Sequence, residues 1–200
     1  MSVFQVDPIT GASRDAKSRE PSVTIGMLSP PAFAVAAVTI PAFSAYSDYE
    51  DWRDAREGLQ MGLVFGGVDA ELTPVSLTAL LAWARLTGNE PDEAALDRLA
   101  ALARAVRLAP KAVALATITR RDFDAWVDGR DAVRGARDFD GWLRRRRARR
   151  TELTATGARV FDLPVRFDDV VAWCDCLGQP VREASLDAYA ALMLELLAAD

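Results

Sequence analysis

The chain has 200 residues, about half of them apolar and a quarter charged, with a net charge of -5; this is ordinary for one globular core or two small ones, and nothing in it calls globally for a polyanion. There is no histidine, which removes the side chain that titrates near neutrality and with it Ser-His-Asp and Cys-His catalysis. Cys174 and Cys176 are the only cysteines, too few for an ordinary zinc site or a disulfide framework, so the expected compartment is a reducing cytoplasm.

In chain order, residues 1–30 are polar without an apolar period and are expected to form a disordered tail. Phe33–Ile40 is short, partly β-branched and bounded by prolines, which predicts a strand. No run reaches the ~20 apolar residues of a membrane helix. A secretory leader would have to place its apolar run after Pro30, unusually far in, and is set aside. Lysine occurs only at Lys17 and Lys111 against many arginines, and alanine is abundant; we take that as bacterial coding bias.

From Asp48 the chain begins to repeat itself. Slid by 90 positions without a gap, Asp48–Leu102 matches Asp138–Leu192 at 17 of 55 positions, including Trp52/Trp142, Gly67/Gly157, Trp83/Trp173, Gly88/Gly178, Glu93/Glu183 and Asp97/Asp187. Such self-similarity predicts two tandem units, 31–108 and 109–200, packed as one body. Asp48 or Ser47 caps a short helix over Tyr49–Gly58, with Glu50 and Asp51 in its favoured first turn. Leu59, Met61, Leu63 and Phe65 alternate before Gly66-Gly67, which predicts a β-hairpin returning as Val68–Leu72. Two helices follow. The first carries the stripe Leu77, Leu80, Leu81 and Ala84, is capped by Ser76 and ends at Gly88. The second opens at Pro91 and turns Leu96, Leu99, Ala100 and Val106 inward.

The second unit repeats this order. Ala112–Thr119 is its strand, Thr151–Ala155 and Ala158–Leu163 its hairpin, and Gly178 its helix end. Arg121–Trp126 is nearly copied as Arg137–Trp142, which predicts an extra helical turn in this unit. The fold class is therefore α+β, helix-dominated, with two pseudo-symmetric units of strand, helix, β-hairpin, helix, helix.

The sharpest local feature is the run Arg144, Arg145, Arg146, Arg147, Arg149 and Arg150, next to Trp142. Phosphates or an acidic protein surface would suit it, and the plain alternative is a solvated helix end. Trp126 and Trp142 lie on charged helices with little apolar company, so they join the arginines as candidate binding residues, whereas Trp83 and Trp173 look like core. Cys174 and Cys176 map onto apolar positions and read as core. Glu93, Asp97, Glu183 and Asp187 form the one repeated carboxylate set; they would make an acid–base or hard-metal site only if the units brought them together.

These features predict a non-catalytic protein-binding adaptor, part of a larger assembly, with no cofactor and no metal. Its partner is another protein, and a homo-oligomer is compatible with the same surfaces. A nucleic-acid-binding protein using Arg144–Arg150 is the second reading, and a carboxylate-based hydrolase a distant third.

Overall fold

Two strands separated by some 40 residues make the first pairing. β1 (Ser22–Met27) runs parallel to β2 (Asp69–Pro74), with Ser22 beside Asp69 and Met27 beside Pro74. Parallel strands need a long crossover. It is supplied by α1 (Pro30–Thr39), a 3-10 turn at Pro41–Phe43 and α2 (Tyr49–Phe65). α3 (Leu77–Thr87) and α4 (Glu93–Arg107) complete this half. The second half has β3 (Ala112–Thr117), α5 (Arg120–Asp128), α6 (Phe139–Ala155), β4 (Arg159–Pro164), α7 (Phe167–Cys176) and α8 (Glu183–Ala198). β3 and β4 are again parallel, Ala112 beside Arg159. Every described strand and α-helix of the second half begins 90 residues after its counterpart in the first, from Ser22/Ala112 to Glu93/Glu183. This computed structural model describes residues 22–128 and 138–198, and the fold they make is α+β and helix-dominated.

Four expectations change. First, Phe33–Ile40 is helix, not strand. Pro30 and Pro31 occupy the first turn, where their fixed φ suits a helix and the missing N–H costs nothing. Phe33, Ala36 and Ile40 then face inward at spacings of three and four, while Val35 and Val38 point to solvent. Second, the leading strand lies inside the expected tail: Ser22–Met27 is β1, and Ile25 and Leu28 are buried. The rest of that tail, residues 1–21, lies outside the described residues.

Third, neither expected β-hairpin is formed. α2 runs unbroken through Leu59–Phe65, and α6 likewise through Thr151–Ala155. The turn residues do their expected work at the end of a helix, where Gly67 and Gly157 take positive φ of 80° and 79°. Only the returning strand is real, and it pairs with β1 rather than with its neighbour in sequence. Fourth, α5 stands 90 residues after α1, so among the described residues the second half carries no helix that the first lacks.

The helix ends follow the sequence more closely. Asp48 and Ser76 accept hydrogen bonds from the N–H groups of Asp51 and Ala79 at 2.9 and 3.1 Å. Gly88 and Gly178 take positive φ where α3 and α7 stop. α4 opens on Asp92, which caps Ala95, two residues later than the proline would place it.

One apolar core runs through both halves, which meet where α8 packs on α4 and α3. Arg85 of α3 also pairs with Asp169 of α7 across the junction. Each half builds an aromatic cluster beneath its long helix. Trp52 stacks on Phe33 at 5.1 Å with Phe43 edge-on, and Trp142 stacks on Phe139 at 5.8 Å with Phe123 and Trp126 beside it. Full burial of such a ring contributes on the order of 3 kcal/mol.

Candidate functional site

The arginine run lies on α6, so its geometry depends on what anchors that helix. Asp138 caps it by accepting from the N–H groups of Asp140 and Gly141, each at 3.0 Å. Trp142 and Arg146, one turn apart, are its buried face. Arg146 is 7% exposed. Its guanidinium lies 5.5 Å from the Trp142 ring, donates to the Ala116 carbonyl of β3 at 2.8 Å, and pairs with Asp187 of α8. Asp187 in turn accepts from the Ala116 N–H at 3.0 Å.

The first half holds α2 in the same way. Arg56, 4% exposed, donates to the Gly26 carbonyl at 3.2 Å and pairs with Asp97 of α4, which accepts from the Gly26 N–H at 2.8 Å. In both halves an arginine and an aspartate take up the N–H and C=O that a strand residue turns away from its partner strand. Left unpaired and buried, each such group would cost about 1–3 kcal/mol. The ion pair thus closes the sheet edge as a third strand would, and it ties strand, long helix and last helix together.

Trp142, Trp126 and Arg146 are therefore not surface binding residues: both tryptophans are fully buried, and the arginine is consumed by the sheet edge. Aromatic side chains were misassigned in the opposite direction too. Trp83 and Trp173 are half-buried, packed against the core rather than within it, and Trp173 lines the groove at the junction. The sequence did carry the signal for the anchor, since Arg56/Arg146 and Asp97/Asp187 are all identities of the 90-residue slide.

What remains of the run is an exposed face. Arg144 reaches Asp138 at 3.4 Å, Arg149 reaches Glu152 at 3.4 Å, and Arg150 pairs with Asp162. Arg145 and Arg147 are exposed and have no acidic partner among the described residues. The equivalent face of α2 has a different chemistry. Glu50, Asp54 and Glu57 follow one another along it, with Arg53 contacting Asp54 at 2.8 Å and Glu57 at 3.6 Å. Beyond them Leu59, Met61, Val64 and Phe65 are exposed, Phe65 by 82%. These apolar residues, which resemble a strand in sequence, are the largest group of exposed large apolar side chains on any described helix.

The repeated carboxylates do not gather. Asp97 and Asp187 each face the arginine of their own half, and Glu183 stands 3.9 Å from Arg146. Glu93 accepts from the Tyr46 hydroxyl and the Trp52 indole N–H, each at 2.9 Å. Burial, followed by that hydrogen bond and the charge of Glu93, raises the Tyr46 phenol above its ordinary value near 10. Among the described residues no three carboxylates or thiols stand together to hold a metal ion. Cys174 is buried, whereas Cys176 is exposed and not part of the core.

An open groove of about 470 Å³ crosses the junction between α3, α7 and α8, lined by Leu81, Arg85, Asp169, Trp173, Tyr189 and Met193 among others. Burial and then the Asp169 charge raise the Tyr189 phenol. No described helix is long and apolar enough to cross a membrane. Comparison of the chain with protein-family models, curated proteins and solved structures finds no match.

Proposed function

We propose that the chain is a non-catalytic protein-binding protein, an adaptor built on an internal duplication that presents the outer faces of its two long helices to other proteins in a larger assembly. One observation carries this reading. α2 and α6 are each anchored by a buried tryptophan and a buried arginine at equivalent places, yet their solvent faces differ, acidic and apolar on one and arginine-rich on the other. Divergence confined to the exposed side of a retained scaffold is what recognition of different surfaces requires. Met61, Val64 and Phe65 supply the apolar anchor of such an interface, and the charges around them its polar rim.

The test is capture of proteins from the native host on the immobilised full chain, followed by reconstitution with the purified partner. Met61→Glu with Phe65→Glu should abolish capture of a defined protein without changing the fold. Identical capture by that variant and by wild type would refute the reading.

A nucleic-acid-binding role is the second reading, supported by the exposed Arg145 and Arg147. It is weakened because the nearby ring of Trp142 is unavailable for base stacking. Phosphate contacts would make affinity for any duplex fall steeply with salt.

A further inference from the structure

The two outer faces complement each other. At equivalent places along the long helices, Asp54 and Glu57 on α2 stand where α6 carries Arg144 and Arg147. Within each helix these residues share the exposed stripe, three apart, and Glu50 extends the acidic one by a turn. α2 and α6 do not pack face to face within the chain, and Glu50, Asp54 and Glu57 on one and Arg144 and Arg147 on the other are all exposed, so both stripes are turned outward. The ion pairs they make locally, Arg53 with Asp54 and Glu57, and Arg144 with Asp138, lie at the surface. Such pairs are worth little and exchange readily. Arg145 and Arg147 lack even these among the described residues.

We propose that the partner of the arginine face is a second copy of this chain, with the Glu50–Asp54–Glu57 stripe of one copy docked on the Arg144–Arg147 stripe of the other. This rests on the reading of the outer faces as protein contacts, but it is independent of the apolar end of α2 and of whatever protein binds there. The contact is heterologous, acidic face to basic face. Two copies either make it twice about a two-fold axis or, where that does not close, add further copies in a chain. Charge matched across such an interface fixes register and makes association salt-sensitive.

Sedimentation velocity of the full chain at low salt and at about 0.5 M salt reads this out, since screening shortens the reach of these charges to a few Å at the higher value. The expected result is a dimer or larger species at low salt that dissociates at high salt. Arg144→Glu with Arg147→Glu, and separately Asp54→Arg with Glu57→Arg, should each weaken association at least about tenfold. An equimolar mixture of the two variants should associate again, because each supplies the face the other lacks. Arg145→Glu with Arg147→Glu gives a second disruption that leaves the Arg144–Asp138 contact in place, and circular dichroism checks the fold of each variant. A wild-type chain that stays monomeric at low salt, variants that associate like wild type, or association that appears only on adding RNA or DNA would overturn the proposal. The first and last of these outcomes leave capture through Met61 and Phe65 untouched and separately measurable.

Discussion

Arg56 and Arg146 occupy equivalent places, close equivalent sheet edges and pair with equivalent aspartates, yet the residues that flank them on the outside of α2 and α6 share almost nothing. Asp54, Glu57, Met61 and Phe65 on one helix stand where Arg144, Arg147, Thr151 and Ala155 stand on the other. The contrast separates two kinds of constraint. A buried ion pair bonded to a strand cannot change one member at a time without stranding the others, whereas an exposed position can change with little cost in stability. The fold therefore holds the inside fixed and leaves the outside free to acquire partners.

The largest expected effect concerns the tryptophans under these helices. Trp52→Ala and Trp142→Ala should each cost about 3–5 kcal/mol in chemical denaturation, as large-to-small changes in a packed aromatic cluster. Phenylalanine sharpens the comparison. The Trp52 indole donates to Glu93, while that of Trp142 has no partner among the described residues. Trp52→Phe should accordingly cost more than Trp142→Phe, and equal costs would mean that the bond to Glu93 adds nothing.

Next in size is the ion pair. Arg56→Met and Arg146→Met should each cost about 2–3 kcal/mol, below the usual figure for a halved buried pair because Asp97 and Asp187 are 32% and 34% exposed. If the two halves are as alike inside as their hydrogen bonds indicate, the two costs agree to within about 0.5 kcal/mol. A large inequality would show that one of the sheets relies on it and the other does not.

Gly26 breaks the symmetry at the same edge. A methyl group there would lie 2.6 Å from both the backbone oxygen and the side chain of Leu96, so α4 approaches β1 too closely for any other residue. The second half has Ala116 in that place, and α8 must stand further from its strand. Gly26→Ala should therefore cost about 1–3 kcal/mol by forcing α4 outward. Ala116→Gly should cost about 1–2 kcal/mol, through backbone entropy and the loss of a buried methyl, with no displacement of α8.

How far these features could be read from the sequence depended on which residues carried the pattern. Helix ends were legible because a cap or a positive φ is a local demand, met by Asp48, Ser76, Gly88 and Gly178 wherever the rest of the chain goes. The stripes of α3 and α7 were legible because their apolar spacing is set by burial, although Leu81 is largely exposed. α2 was not. It buries only Trp52 and Arg56, so its apolar residues mark its solvent face and their alternation imitates a strand. Charged surroundings likewise concealed the burial of Trp126 and Trp142, because the charges lie on the far side of the same helices. Parallel pairing was hidden for a different reason: β1 and β2 are more than 40 residues apart, and nothing local records their register. Of the arginine run, Arg144, Arg145, Arg147, Arg149 and Arg150 lie on the surface, and Arg146 is hidden among them in the sequence because its partner lies 41 residues away.

The smallest effect tests a contact with no counterpart among the described residues of the second half. Tyr46 donates to Glu93, and the residue 90 positions later is Ala136. Losing one such half-exposed bond in Tyr46→Phe should cost about 0.5–1 kcal/mol at neutral pH. The pH dependence gives a sharper reading. The phenol pKa is raised in the folded chain, first by burial and then by the Glu93 carboxylate, so folding favours the protonated form. That contribution is complete below the unfolded value near 10 and is lost as pH rises through the higher folded value. Wild type should therefore lose stability on the alkaline side of about pH 10, and Tyr46→Phe should lose less of it there, bringing the two melting curves together. Tyr189, raised by burial and by Asp169, keeps its own share of that alkaline loss in both proteins. A constant gap in melting temperature from neutral pH to beyond 10 would mean that Tyr46 does not titrate against Glu93.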